Sequence, residues 1–243
     1  MSLLTVAFCM LCIFLAAIVR GFSGFGFSLL AITALSLILP TTQVVPAIFM
    51  LEVAASIRLL PEVWKDIHWR SLAPLLIGCL IATPIGVYLL ANMPAAPMQI
   101  ALGVFVLIAT ILLWFGFALK SMPGKFASTL AGAASGLANG AFGIGGPPVI
   151  LFYFSSPAGN IAGRASLIAF FLATDIIGLG FLARENLVTW EAAKLATMFL
   201  APLLLGIWIG ARRFKSVDQA LFRKIVLGIL GVLAVVSILQ GLS

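Results

Sequence analysis

Four charged residues lie within or at the edges of long apolar segments of this chain. Arg20 ends the first segment and Arg164 opens a later one, whereas Glu52 and Asp175 lie mid-segment. Intramembrane charges are costly and usually functional. A guanidinium donates paired hydrogen bonds to an oxyanion, and a buried carboxylate can carry a proton. We interpret the arginines as anion-binding residues and the carboxylates as candidates for proton coupling. The alternative is that each arginine pairs with an acid and only stabilises the fold.

Two glycine-rich breaks interrupt apolar segments close to these charges. The first reads Gly21-Phe-Ser-Gly-Phe-Gly-Phe-Ser28 and the second Gly140-Ala-Phe-Gly-Ile-Gly-Gly-Pro-Pro148. Glycine lets the backbone leave helical geometry, and the N–H groups freed at a break must face protein or a wet cavity. Helix N-termini at such breaks favour anions. The alternative is close helix packing, which the four-residue spacing of Gly132, Gly136 and Gly140 also predicts.

These features together predict a substrate site assembled from both breaks and both arginines. The predicted substrate-binding residues are Arg20, Gly21, Ser23, Gly24, Gly26, Asn139, Gly143, Gly145, Gly146, Pro147 and Arg164. Ser23 and Asn139 offer neutral donors, or they only cap the half-helices. Pro147 suits the start of a helix, whose first turn needs no N–H donor.

The sequence shows no catalytic or metal-binding constellation beside these residues. It has no HExxH motif, nucleophile triad or Cys/His cluster, so we predict no enzyme activity, metal or cofactor. Neither break matches a Rossmann or Walker pattern, which gives nucleotide binding no support. Cys9 and Cys12 form a C-x-x-C inside an apolar stretch, as expected of small buried hydrophobes.

The elements that must position the site are membrane-spanning helices. The chain has 243 residues, of which 63% are hydrophobic and 9% charged, and a mean hydropathy of +1.24. Soluble domains contain about 45–50% apolar and 25% charged residues, so a soluble domain is excluded. Unbroken apolar stretches favour helices over a β-barrel. The net charge of +7 indicates basic cytoplasmic loops rather than a nucleic-acid partner.

The two halves of the chain repeat one pattern. Placing the second break on the first aligns Gly24 with Gly143, and the register then holds approximately along both halves. We predict an all-α polytopic protein forming a single transmembrane transporter domain, residues 1–243. Its repeats, about 1–119 and 126–243, are each a glycine-broken helical hairpin followed by three transmembrane helices, about eight to ten helical segments in all. The first broken pair is either re-entrant or spans twice.

Basic residues assign the sides of the membrane. Ten of the fourteen Lys and Arg residues fall in three regions. They are Arg58, Lys65 and Arg70; Lys120 and Lys125; and Arg212, Arg213, Lys215, Arg223 and Lys224. The positive-inside rule places these regions in the cytoplasm of a bacterial inner membrane, with both termini periplasmic. The two halves are then inverted, a recurrent plan among secondary transporters.

Both breaks resemble the repeat motifs of a known family. Residues Gly21–Ser28 with the following Leu-Leu-Ala31 resemble the first repeat motif of the sulfite exporter TauE/SafE family, also called the 4-toluene sulfonate uptake permease family. Gly143-Ile-Gly-Gly-Pro-Pro148 is similar to its second motif, and the resemblance covers essentially the whole chain. It implies a secondary carrier of anions, often sulfur-containing. Phe27 stands where the second repeat has Gly146, so the breaks are not chemically equivalent.

The predicted function is secondary transport of a small anion by alternating access. The resemblance implies a sulfur oxyanion or organosulfonate such as sulfite or sulfoacetate. The expected partners are this anionic substrate, the lipid bilayer and protons as a candidate coupling ion, with no nucleic acid. Two alternatives stay open, a channel-like anion pore and a non-transporting membrane subunit.

Overall fold

The computed structural model describes residues 3–115, 123–155, 159–213 and 219–242, with side chains in these ranges except at 154–160 and 213–223. Every regular element among these residues is helical. The helices described are α1 (Leu3–Ser23), α2 (Phe27–Leu35), α3 (Thr41–Val63), α4 (Trp69–Asn92), α5 (Ala95–Phe115), α6 (Lys125–Phe142), α7 (Gly146–Ser155), α8 (Gly159–Arg184), α9 (Trp190–Arg213) and α10 (Gln219–Leu242). A 3-10 turn, Trp64–Asp66, follows α3.

The two predicted breaks separate a long helix from a short one in each half. The first lies between α1 and α2, and the second between α6 and α7. Gly24, Gly26 and Gly143 have φ angles of 82°, 88° and 68°, in the left-handed region that penalises residues with a Cβ. Glycine at these positions lets the chain leave one helix and begin the next within three residues.

The short helices cannot cross a membrane on their own. α2 has nine residues and α7 has ten, which makes them about 14 and 15 Å long at 1.5 Å per residue. The hydrocarbon core is about 30 Å thick. The first broken pair therefore does not form two complete spans. Helix α7 carries Pro147 and Pro148 in its first turn, as the sequence predicts.

Seven of the described helices are long and apolar enough to cross a membrane. They are α1, α3, α4, α5, α8, α9 and α10. Helix α6 is rich in Gly, Ala and Ser and packs along α4. The predicted class is confirmed, because the chain is an all-α, multi-pass membrane protein.

Helices at corresponding places in the two halves exchange packing partners. Helix α1 packs on α9 and α6 on α4, while α3 packs on α8 and α5 on α10. In each of the last two pairs, the two helices hold the same place in their predicted repeats. In the α5–α10 pair, Gly103 faces Ile238 whereas Gly241 faces Ile100, so these corresponding helices run antiparallel.

Glycines allow α4 and α6 to touch along their backbones. Gly132, Gly136 and Gly140 of α6 each lie against a main-chain carbonyl of α4. Gly78 and Gly86 of α4 lie against the backbone of α6 in the same manner. The four-residue spacing on α6 thus produces the predicted small-residue packing. This contact fixes the position of the second break, because α6 leads directly into it.

Candidate functional site

Arg20 is the centre of a buried polar cluster at the end of α1. Its side chain is 0% exposed, and Nη2 lies 2.9 Å from Oε2 of Glu52 on α3. The same nitrogen donates a hydrogen bond of 2.7 Å to Oγ of Ser56, one turn further along α3. Burial of an ion pair requires good geometry and additional hydrogen bonds to offset desolvation. The hydroxyl of Ser56 supplies one of them.

Part of the Arg20 guanidinium keeps unused donor capacity. Its Nε and Nη1 are buried and have no hydrogen-bond partner among the described residues. The ring of Phe171 lies over the guanidinium, with its centroid 4.9 Å from Cζ, and attracts the cation through its π face. Buried polar groups are normally hydrogen-bonded. Two nitrogens of one cation, Nε and Nη1, thus have N–H groups with which an oxyanion can form hydrogen bonds.

Glu52 connects Arg20 to the start of α2. Its Oε1 accepts a hydrogen bond of 3.2 Å from the backbone N–H of Ser28, in the first turn of α2. The N-terminus of a helix carries a partial positive charge that stabilises a carboxylate. Glu52 is therefore held on two sides, by Arg20 near the end of α1 and by the N–H of Ser28 at the start of α2.

At the second break, the neutral side chain of Asn139 takes the place that Arg20 has at the first. Asn139 lies four residues before Gly143, as Arg20 lies four residues before Gly24. Its Oδ1 accepts a hydrogen bond of 3.2 Å from the N–H of Gly145, and its Nδ2 donates one of 3.4 Å to Oδ1 of Asp175. An amide thus stands where the first half has a cation.

Asp175 is a buried carboxylate that forms no ion pair within 4 Å among the described residues. Its side chain is 2% exposed, and its Oδ2 has no hydrogen-bond partner among the described residues. Glu52 and Arg20 lie close enough to interact with it electrostatically. The site therefore contains one carboxylate paired with an arginine and one whose hydrogen-bond partner, in the part of the chain that the structure describes, is an amide.

Arg164 lies at the first break, although in sequence it follows the second hairpin. Its Nη2 donates a hydrogen bond of 3.2 Å to the carbonyl oxygen of Gly21, in the last turn of α1. Its Cγ lies 2.7 Å from the place where a Cβ on Gly24 would be. Positive charge at a helix C-terminus is favourable. The absence of a side chain on Gly24 lets this half-buried arginine pack onto the break.

Residues of both breaks contact helices α3 and α8. Phe171 of α8 contacts Arg20 and lies 3.5 Å from the place where a Cβ on Gly146 would be. Gly143 is surrounded by Ile32 of α2 and Phe49 of α3. The structure therefore brings the predicted residues of both breaks around one apolar centre that carries the two carboxylates.

Several predicted residues serve the local geometry of their own break. The hydroxyl oxygen of Ser23 lies 2.7 and 2.8 Å from the carbonyl oxygens of Val19 and Phe25, between which its single O–H can be shared. Gly26 is the residue before α2, and Pro147 is buried in the first turn of α7. These contacts lie within the break, and the N-cap residue of α2, Gly26, makes no side-chain capping hydrogen bond.

Sequence reasoning missed three partners of the site. They are Ser56, which accepts from Arg20; Ser135, which donates to the carbonyl of Gly145; and Phe171, which covers Arg20. Each lies four residues from a predicted residue on the same helix face. This i, i+4 spacing was the available signal, but small hydroxyl and phenyl side chains carry it only weakly.

Comparison with known proteins agrees with this architecture. The family model described as sulfite exporter TauE/SafE matches residues 9–237. This chain belongs to the TauE/SafE sulfite exporter family. A curated relative, the probable sulfite/organosulfonate exporter TauE of Cupriavidus necator, is 26% identical over 220 residues, which cover 87% of this chain and 84% of the relative. No solved structure matches the chain significantly.

Family membership confirms the resemblance carried by the two breaks. Both motifs lie within the residues that match TauE/SafE, and the structure places both at the junctions of long and short helices. This TauE/SafE protein is thus a multi-pass protein of a family of membrane transporters.

Proposed function

We propose that this TauE/SafE protein is a secondary carrier, not an enzyme, that moves sulfite or a small organosulfonate across the bacterial inner membrane. The observation that carries the proposal is the buried guanidinium of Arg20, which has two unused N–H donors. A sulfonate or sulfite presents several oxygens on one centre, which suits the planar donor fork of arginine. The name of the relative, a sulfite/organosulfonate exporter, supports this substrate class.

The proposed binding region combines both breaks. Arg20 and Arg164 supply positive charge; Gly24 leaves room for the Arg164 side chain, the carbonyl of Gly21 accepts its hydrogen bond, and Gly26 precedes α2. From the second break, Asn139, Gly143, Gly145, Gly146 and Pro147 complete the region. Two arginines near one another repel unless an anion or a carboxylate lies between them. A bound oxyanion would satisfy the free donors of Arg20 and offset this repulsion.

The proposed mechanism is alternating access between two inverted repeats, about 1–119 and 126–243. The exchange of packing partners between the halves and the antiparallel α5–α10 pair support this symmetry. In such carriers the substrate site lies near the midplane, where broken helices meet. Glu52 and Asp175, in the middle of α3 and α8, are the proposed groups for coupling transport to protons.

The decisive experiment is anion flux in proteoliposomes containing the purified protein. A carrier should show saturable uptake of radiolabelled sulfite and accelerated exchange when unlabelled sulfite is trapped inside. A channel-like pore would conduct without counterflow. A non-transporting subunit would give no flux above empty liposomes, and either of these results would reject the proposal.

The proposed orientation gives a testable topology, with both termini in the periplasm. It depends on the positive-inside rule applied to the three basic regions. Of these, Lys120 and Lys215, and the side chains of Arg213 and Arg223, lie outside the described residues. A reporter fused after Ser243 that matures only in the cytoplasm should therefore be silent, whereas a periplasmic reporter should be active. A strong cytoplasmic signal would reject the orientation.

Replacing Arg164 with lysine should weaken substrate binding while the protein still folds. Lysine keeps the charge beside the end of α1 but lacks the bidentate fork. Loss of one charge-assisted contact is about 1.5–3 kcal/mol, or roughly tenfold to a hundredfold in Kd. The measurement is the thermal stabilisation of the purified variant by sulfite and by sulfonates.

Arg58→Lys is the matched control for this substitution. Arg58 is exposed and forms an i, i+4 ion pair with Glu62, 2.6 Å apart, which lysine can replace. Its affinity for substrate should equal that of the unsubstituted protein. An unchanged affinity in Arg164→Lys as well would assign Arg164 to the structure of the break alone.

A further inference from the structure

We propose that Asp175 alone is the proton-binding carboxylate and that it takes up a proton when an anion binds at Arg20. This inference rests on the proposed function and divides roles that the sequence left equal between Glu52 and Asp175. It follows from two observations, namely the ion pair that only one of the two carboxylates makes among the described residues, and the charges around them.

The ion pair with Arg20 separates the two carboxylates. Glu52 faces Arg20 at 2.9 Å and accepts the N–H of Ser28. Protonation of Glu52 would leave the Arg20 charge uncompensated in the interior, which is strongly unfavourable. Asp175 has one long amide contact of 3.4 Å, and its Oδ2 has no partner among the described residues. Protonation of this oxygen removes a buried charge and breaks no ion pair.

The charged and titratable groups around Asp175 link it to the anion site. They are Glu52 on α3, Arg20 on α1 and the thiol of Cys79 on α4, each close enough to interact electrostatically. In the empty protein the charges of Arg20 and Glu52 offset each other. An anion bound at Arg20 adds a negative charge to this group, and the nearby carboxylate then binds a proton more readily. By linkage, protonation of Asp175 must strengthen anion binding to the same degree.

A crevice opens between α4 and α8, the helix that carries Asp175. It has a volume of about 210 Å³ and is lined by Pro84, Val87, Phe181, Arg184 and Glu185. This is room for several water molecules, and the two charged residues at its rim favour hydration. Asp175 lies six residues before Phe181 on α8, about 9 Å along the helix axis.

Helix α4, the other wall of this crevice, carries Cys79, which lies five residues before Pro84 and interacts electrostatically with the Asp175 carboxylate. In the proposed step, a hydronium ion transfers its proton to Oδ2 of Asp175. The products are a neutral carboxylic acid and a water molecule, and release is the reverse of this step.

The experiment measures the pH dependence of anion affinity with ethanesulfonate, whose own charge does not change across neutral pH. In the unsubstituted protein, Kd from thermal stabilisation should rise with pH, approaching tenfold per pH unit once Asp175 is ionised. In Asp175→Asn, Kd should stay flat and close to the low-pH value, because the amide mimics the protonated acid. Asp175→Glu should restore a pH-dependent Kd. Glu191→Gln, an exposed acid at the start of α9, should behave as the unsubstituted protein.

Proton uptake on binding provides a readout that needs no variant. Calorimetric titration of the unsubstituted protein with ethanesulfonate, in buffers of different ionisation enthalpy, should show uptake approaching one proton per anion at alkaline pH. No uptake at any pH, or the same pH slope in Asp175→Asn, would overturn the proposal while leaving the carrier function intact. Absence of binding by sulfonates and sulfite at every pH would overturn the proposed function and this inference with it.

Discussion

Replacing Arg20 with glutamine should lower the free energy of unfolding by about 3–5 kcal/mol. The substitution removes the cation that faces Glu52 at 2.9 Å, where the two side chains are 0% and 2% exposed. Glu52 would then hold an uncompensated charge in the interior, and Ser56 would lose its donor. The measurement is thermal or denaturant unfolding of the purified protein in detergent.

The double variant Arg20→Gln/Glu52→Gln separates charge from packing. With both charges removed, most of the lost stability should return, because replacing both members of a buried pair can be nearly neutral. The folded double variant should nevertheless fail to bind sulfite or sulfonates, because it lacks the Arg20 cation proposed to bind the anion. Normal substrate affinity in this variant would mean that Arg20 serves only the fold.

An exposed ion pair on the same helix is the matched control. Arg58 and Glu62 lie 2.6 Å apart with side chains 55% and 46% exposed. Exposed i, i+4 pairs contribute about 0.3–0.5 kcal/mol, so Arg58→Gln should barely change the unfolding transition. Equal effects of Arg20→Gln and Arg58→Gln would contradict the assignment of Arg20 as a buried, charge-compensating residue.

The second large loss of folded protein is expected from a substitution at the contact between α6 and α4. A leucine at Gly136 should strongly reduce the yield of folded protein, because even its Cβ would overlap the main chain at Cys79. Over-packing in a core costs about 1–3 kcal/mol when side chains can adjust. Here the obstacle is a backbone carbonyl, so the two helices must separate and we expect at least the upper end of this range.

The control for this substitution is Gly180→Leu on α8. Gly180 has no atom within 4 Å of the place where its Cβ would be, and the residue is exposed. This variant should be recovered from the membrane as well as the unsubstituted protein. Size-exclusion profiles of the two leucine variants give the comparison. A well-folded Gly136→Leu would show that the α4–α6 contact can open without loss of the fold.

The two sets of experiments test two different contacts that position the candidate site. The α4–α6 contact positions the second break, whereas the Arg20–Glu52 pair holds the first break against α3. Both breaks contact α8 through Phe171 and Asp175. A movement of α8 relative to α3 would therefore change both breaks at once. This arrangement suits a carrier in which anion and proton occupancy must be coupled.

The sequence by itself determined the class of the protein and the places where its helices break. Hydropathy and glycine content are properties of consecutive residues, so the long apolar segments, the breaks at Gly24–Gly26 and Gly143–Gly145, and the family motifs were all readable without the fold. The proline start of α7 was predicted for the same reason. These features follow from local backbone chemistry and from the need to bury apolar length in lipid.

Only the tertiary structure decided how the charged residues are paired. The sequence placed Arg164 beside the second hairpin, yet the packing of α8 sets it against Gly21 and Gly24 of the first break. It also left Glu52 and Asp175 equivalent, whereas in the fold Arg20 pairs with Glu52 and Asn139 donates a hydrogen bond to Asp175. Such pairings join residues that are 32 or more positions apart, and they depend on which helix faces touch. The spacing of residues within one helix carries no information about that choice, because it is made by the packing of backbones such as those of α4 and α6.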